Sequence, residues 1–119
     1  MFVRRNDSAA ELSHHPDYRF RIGVAIPLKA PNEHGLPGAA EAEELNGIED
    51  ALVSRLGAGQ LSLQVLAITT NGMREFVFYA RDHQVAQSAL EELRDQISSH
   101  EIQAYIETDP KWSLYQEFA

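Results

Sequence analysis

Ile68-Thr69-Thr70-Asn71-Gly72-Met73-Arg74-Glu75-Phe76-Val77-Phe78-Tyr79 decides how this chain folds. An Asn-Gly pair between β-branched and aromatic residues is the strongest short-range hairpin signal. It supplies the two positive-φ residues of a type I′ turn, whose twist matches the strands on either side. Those strands are expected over residues 61–70 and 73–80. A segment of helical periodicity lies on each side of the hairpin, and a further strand pattern lies beyond each helix. The element order therefore reads β-α-β-β-α-β.

Upstream, Tyr18, Phe20, Ile22, Val24, Ile26 and Leu28 alternate with Arg19, Arg21, Gly23, Ala25, Pro27 and Lys29, the period of a half-buried strand. Pro27 has no N–H for a ladder, so pairing weakens there. Residues 30–38, with two prolines and two glycines, read as a loop. The spacing of Leu45, Ile48, Leu52 and Leu56 predicts a helix over 39–56, with Val53 widening its stripe and Gly57 at the C′ position. In 61–70, strict alternation places Leu61, Leu63, Val65 and Ala67 on one face, with Leu66 and Ile68 on the other. In 73–80, Phe76 and Phe78 oppose Val77 and Tyr79; the pattern leaves open which set meets the helices.

Downstream, Asp82 is placed to cap a helix over 83–99 whose stripe is Ala86, Leu90, Leu93 and Ile97. Ile102, Ala104 and Ile106 then alternate with Gln103, Tyr105 and Glu107 in a last strand. Asp109-Pro110 reads as N-cap and first helical residue of a short terminal helix. Its Trp112, Tyr115 and Phe118 are expected to act as a latch, closing the end of the sheet or covering part of its open face.

Two β-α-β halves with right-handed crossovers interleave naturally. The expected fold is α+β: a ferredoxin-like sandwich of four antiparallel strands in the order 4-1-3-2, both helices on one face, and a short C-terminal helical segment. Residues 1–17, ending in His14-His15-Pro16-Asp17, read as a polar, poorly specified arm, and 18–119 as one domain.

The 119 residues suffice for one hydrophobic core, and the absence of cysteine excludes disulfides, thiolate metal sites and cysteine nucleophiles. No signal peptide is visible, and no run approaches the roughly 20 apolar residues of a membrane helix. A cytoplasmic protein without a membrane partner is expected. The net charge of −8, from 18 acidic and 10 basic residues, repels phosphate backbones and speaks against nucleic-acid binding. The RNA-recognition domain shares the β-α-β-β-α-β order, but Arg74–Tyr79 lacks the glycine and basic flank of its third-strand motif.

None of the five histidines pairs at a metal-binding spacing, and His14-His15 with Asp17 is most simply a solvated arm. No serine sits in a nucleophile elbow, and no glycine-rich phosphate loop occurs. Catalytic residues, metals and cofactors are accordingly not assigned. The sheet's second face holds the candidate binding patch: Arg19 and Arg21 of the first core strand, Tyr79 of the hairpin, Tyr105 and Glu107 of the last strand, and Trp112. One reading is a cross-strand ion pair with aromatic cover, worth roughly 0.2–1 kcal/mol per pair. The other is a cationic, aromatic grip for an acidic ligand or partner.

The stretch Thr69–Tyr79, the tail Glu107-Thr108-Asp109-Pro110-Lys111-Trp112-Ser113-Leu114-Tyr115 and the loop signal His34-Gly35-Leu36-Pro37 together resemble a bacterial family known only as domain of unknown function six-nine-five. The resemblance spans about residues 18–118 and implies no activity and no site residues. A looser similarity in architecture and acidity links the chain to the regulator of ribonuclease E activity, protein B, which acts by binding another protein.

Two functional classes follow. The first is a non-enzymatic protein-binding or regulatory module using its open sheet face or an edge strand, with a homodimer as the commonest form. The second is a small-molecule binder or enzyme whose site lies between the open sheet face, the 30–38 loop and the C-terminal segment.

Overall fold

Asn71 and Gly72 adopt φ values of 51° and 75°, the two left-handed residues a type I′ turn requires. Thr70 pairs with Met73 across the turn. The computed structural model describes residues 1–13 and 15–118; the reading of His14 as part of a solvated arm lies outside them. The strands are β1 (Phe2–Arg5), β2 (Phe20–Pro27), β3 (Ser62–Thr70), β4 (Met73–Ala80) and β5 (Gln103–Thr108). The helices are α1 (Ala39–Leu56), α2 (His83–Gln96) and α3 (Ser113–Glu117), with 3₁₀ turns at Asp7–Leu12 and Ala58–Gln60.

The fold is α+β, but the expected four-stranded sheet in the order 4-1-3-2 is corrected by a fifth strand. All neighbours are antiparallel and the order is β1-β3-β4-β2-β5. Phe2–Arg5, read from the sequence as part of a polar arm, pairs with β3 from Phe2↔Thr69 to Arg5↔Leu66. The physical reason lies in β3, which is apolar on both faces and would otherwise present a long unpaired edge. Four residues, half of them arginine, carry too little periodicity to announce that strand.

The sheet separates two hydrophobic layers. On one side Ile22, Val24 and Ile26 of β2, with Phe76 and Phe78 of β4, meet Leu45, Leu52 and Leu56 of α1 and Ala86, Leu90 and Leu93 of α2. Val53 does not widen the stripe; it is exposed. Helix α2 starts at its cap, with the Asp82 carboxylate accepting from the Val85 N–H at 2.9 Å, and ends at Gln96, short of Ser99, because Ile97 turns to extended geometry.

On the other side Val65, Leu66, Ile68, Val77 and Tyr79 pack with Ala9, Tyr18, Trp112 and Tyr115. Strict alternation fails in β3. Gln64 pairs with Phe78 but Leu66 pairs with Val77, leaving Val65 as the extra residue of a β-bulge. The bulge puts Val65, Leu66 and Ile68 together in the second layer and turns Ala67 toward the helices. Asn6 closes the irregularity: its N–H donates to the Val65 carbonyl at 2.9 Å and its side-chain amide to the Gln64 carbonyl at 3.1 Å.

The terminal helix begins at Ser113, later than Asp109-Pro110 suggests. Trp112, at φ 55°, takes the left-handed conformation and swings its indole onto the sheet. There it stacks on Tyr79 at 4.3 Å with an interplanar angle of 9°, meets Tyr115 edge-on, and donates from Nε1 to the Tyr18 carbonyl at 2.6 Å. The latch is thus a second core. Trp112→Ala is expected to cost about 3–5 kcal/mol, the usual loss for a buried large aromatic. Urea denaturation should show this loss; an unchanged midpoint would contradict the burial.

Candidate functional site

The sheet's second face brings most of the sequence-derived patch together. Arg21 sits opposite Tyr79 on one side and Glu107 on the other. Its guanidinium donates to Glu107 at 2.6 Å and to Asp109 at 2.9 Å, and lies 5.8 Å from the Tyr105 ring centroid. Tyr79 donates its hydroxyl to Asp109 at 2.6 Å. Tyr79 and Trp112 are wholly buried, whereas Arg19 is exposed beside the Phe20 ring and joins no ion pair among the described residues.

Tyr105 reaches this cluster because of Gly23. A Cβ at position 23 would fall 2.0 Å from Tyr105 Cε1, so only glycine lets the ring lie across β2. The Tyr105 hydroxyl then donates to Glu75 at 3.2 Å. Burial, and next the neighbouring Glu75 charge, push the Tyr105 phenol up to about 12.

Asp109, absent from the candidate list drawn from the sequence, is the hub. Besides Tyr79 and Arg21 it accepts from the backbone N–H groups of Ser113 at 2.8 Å and Leu114 at 3.4 Å. Burial alone would raise its carboxyl, but the Tyr79 hydroxyl and these N–H groups outweigh it and hold the group below its ordinary value. The same conflict, with the same outcome, governs Glu41, which accepts from the Lys29 and Ala30 N–H groups and faces His100 Nε2 at 2.7 Å. Ser99 Oγ lies 3.0 Å from His100 Nδ1. This Ser-His-Glu chain clamps the first turn of α1 to the loop after β2 and the segment before β5.

The 30–38 loop and the C-terminal segment, expected to flank one pocket with the second face, lie at opposite ends of β2. The loop packs against the Asn71-Gly72 turn, where the Leu28 N–H reaches the Gly72 carbonyl, while α3 closes the opposite end of β2 through Asp109 and the Arg19 carbonyl. A half-open cleft of about 770 Å³ lies elsewhere, along the first half of β3. Its floor is Leu63, Val65 and Leu66; its walls include Leu12 of the N-terminal turn, Val53 and Gly57 at the end of α1, and Tyr18. Gln60, held at φ 60°, offers its carbonyl to the Tyr18 hydroxyl at 2.9 Å and shapes one end. Arg4, Arg5, Arg81 and His15 also line it, with no carboxylate among the described lining residues. The sequence held one unused signal for this cleft: Arg4-Arg5 in an otherwise acidic chain.

The depressed Asp109 carboxyl has a consequence for stability. Its contribution is full above the unfolded value near about pH 4 and is lost as pH falls through the lower folded value. Asp109→Asn is therefore expected to lower the urea midpoint at neutral pH and to flatten its fall on acidification. Glu41 would supply the slope that remains. An equally steep acid limb in the variant would contradict the hub assignment.

The model of a family described as a family of unknown function, DUF695, matches residues 1–119. No curated protein and no solved structure matches the chain, so the looser similarity to the regulator of ribonuclease E activity has no counterpart among these matches. The match covers the arm, both β-α-β halves and the latch, and on that ground the chain belongs to the family of unknown function DUF695.

Proposed function

We propose that the protein is a non-enzymatic binding module and that its ligand site is the cleft along the first half of β3. One observation carries this reading: a concavity of about 770 Å³ with an apolar floor and a few polar side chains at its margin. Ligand sites have this character and typically span roughly 300–1,000 Å³. The side-chain networks elsewhere are engaged internally for the most part: Arg21 pairs with Asp109 and Glu107, with only its buried Nε unpartnered among the described residues, and the Ser99-His100-Glu41 chain fastens α1. Without β1 the strands run β5-β2-β4-β3, which supports reading that unit as ferredoxin-like with an added edge strand. On this reading the added edge and the turn after it are what create the cleft.

Val53 lines the cleft yet is exposed, so Val53→Trp fills the space without disturbing the core. Nile red, a neutral solvatochromic dye, should brighten and shift to the blue with the native protein and respond weakly with Val53→Trp. No response, or an equal one from both proteins, would remove the cleft as a ligand site.

A second reading, a protein partner or a second copy of the chain, draws on the outer edge of β5, which among the described residues pairs only with β2. Strand addition to such an edge is a common recognition mode. Sedimentation should then show a dimer that Ile106→Pro disrupts; a native monomer at high concentration, with no partner recovered from extract, would count against it.

A further inference from the structure

We infer that the cleft selects a small organic anion with an apolar body, its anionic head held at Arg81 and Arg5 and its body lying on Leu12 and Leu63. The inference rests on the binding reading above and adds the chemistry of the ligand. It begins from a contrast of charge. The chain carries a net charge of −8, yet the described residues lining this cleft include three arginines and a histidine and no carboxylate. Apolar walls around charges of one sign focus the field into the cavity and draw counter-ions there.

The cations are not equally engaged. Arg4 is paired with Glu49, which also accepts from Gln64. Arg5 pairs with Asp7 through Nη1 at 2.6 Å and lies over the Tyr115 ring at 3.9 Å, but its Nε is buried with no hydrogen-bond partner. Arg81 is exposed, sits 4.7 Å from the Tyr18 ring centroid, and forms no ion pair among the described residues. His15 stands 3.8 Å from Asp17. The cleft therefore offers an unneutralised guanidinium held against an aromatic face, and a lining arginine with a buried N–H still unpaired. A buried unpaired donor is unfavourable, and an oxyanion is the acceptor that gains most from one beside a second guanidinium.

The size of the occupant follows from the edge. Strand β1 covers β3 from Leu66 to Thr69, and Asn6 takes the Gln64 and Val65 carbonyls. The residues left, Ser62 to Gln64, are too few for an added peptide strand, while the volume suits a small molecule. The half-buried Leu12 and Leu63 supply a surface for an alkyl or aromatic body.

The test compares decanoate, decyl phosphate, decanol and inorganic phosphate, each below any micelle-forming concentration, on the full-length protein. Titrations are followed by amide chemical shifts. Decanoate or decyl phosphate is expected to move the signals of Leu63, Val65 and Arg81, and the preferred head group separates a carboxylate ligand from a phosphate one. Decanol should bind roughly tenfold more weakly, as loss of one charge-assisted hydrogen bond implies, and inorganic phosphate at least roughly tenfold more weakly, because it lacks the apolar body that the cleft buries. Arg81→Glu, at an exposed position, should abolish the preference for the anion while leaving the spectrum folded. Equal binding of decanoate and decanol, unchanged by Arg81→Glu, would overturn the anion inference and leave the cleft as a ligand site. No binding of any probe, together with no Nile red response, would overturn both.

Discussion

The carboxylate of Asp109 is the constraint on which the second half of this structure depends. One side chain receives the Tyr79 hydroxyl from β4, the Arg21 guanidinium from β2 and two N–H groups from the start of α3. It thus joins the sheet to the chain that covers it. Proline follows immediately and Trp112 turns left-handed, so the chain reverses and delivers its indole to the Tyr79 face. A carboxylate so buried is tolerable only because its acceptor sites are occupied. The aromatic layer and the polar hub therefore require each other: the rings exclude water from the carboxylate, and the carboxylate holds the strand-to-helix turn that presents the rings.

A second dependence runs through the bulge in β3. One extra residue, Val65, shifts the alternation and assembles the apolar floor shared by the second layer and the cleft. Asn6 satisfies the carbonyls that the bulge exposes, and the Tyr115 hydroxyl donates to the Asn6 carbonyl at 2.7 Å. The two ends of the chain are thereby tied together over β3. The arm is held by hydrogen bonds to irregular backbone more than by its own hydrophobicity, since Phe2 and Val3 are both exposed. Just beyond that tie the edge of β3 is uncovered, and the cleft opens there.

Much of the framework was legible from residue order. The Asn71-Gly72 turn, the alternation of β2, the leucine stripe of α1 and the Asp82 cap each rest on local physics: twist matching, side-chain period and an unpaired N–H seeking an acceptor. The meeting of Arg21, Glu107, Tyr105 and Tyr79 was legible too, because register follows from hairpin geometry and alternation. The cleft was not. It is made by Leu12, Val53, Leu63 and Arg81, which come from four separated elements and share no spacing rule. Asp109 was read as the N-cap of a helix starting at Pro110; Trp112 holds that position instead, although the Asp109 carboxylate accepts from the first N–H groups of α3, and its bonds to Arg21 and Tyr79 join positions too distant in sequence for any local pattern to report.

By itself, then, the sequence determined the α+β class, the central hairpin, both long helices and the alternation of β2. These depend on interactions between residues a few positions apart. The tertiary structure decided the fifth strand, the bulge, the left-handed Trp112 and the cleft beside β3. Each of these is settled by competition for unpaired backbone groups and uncovered apolar surface that exist only once the sheet has formed. Phe2–Arg5 becomes a strand because β3 offers an edge, and Trp112 turns left-handed because Tyr79 and the Tyr18 carbonyl are there to receive it.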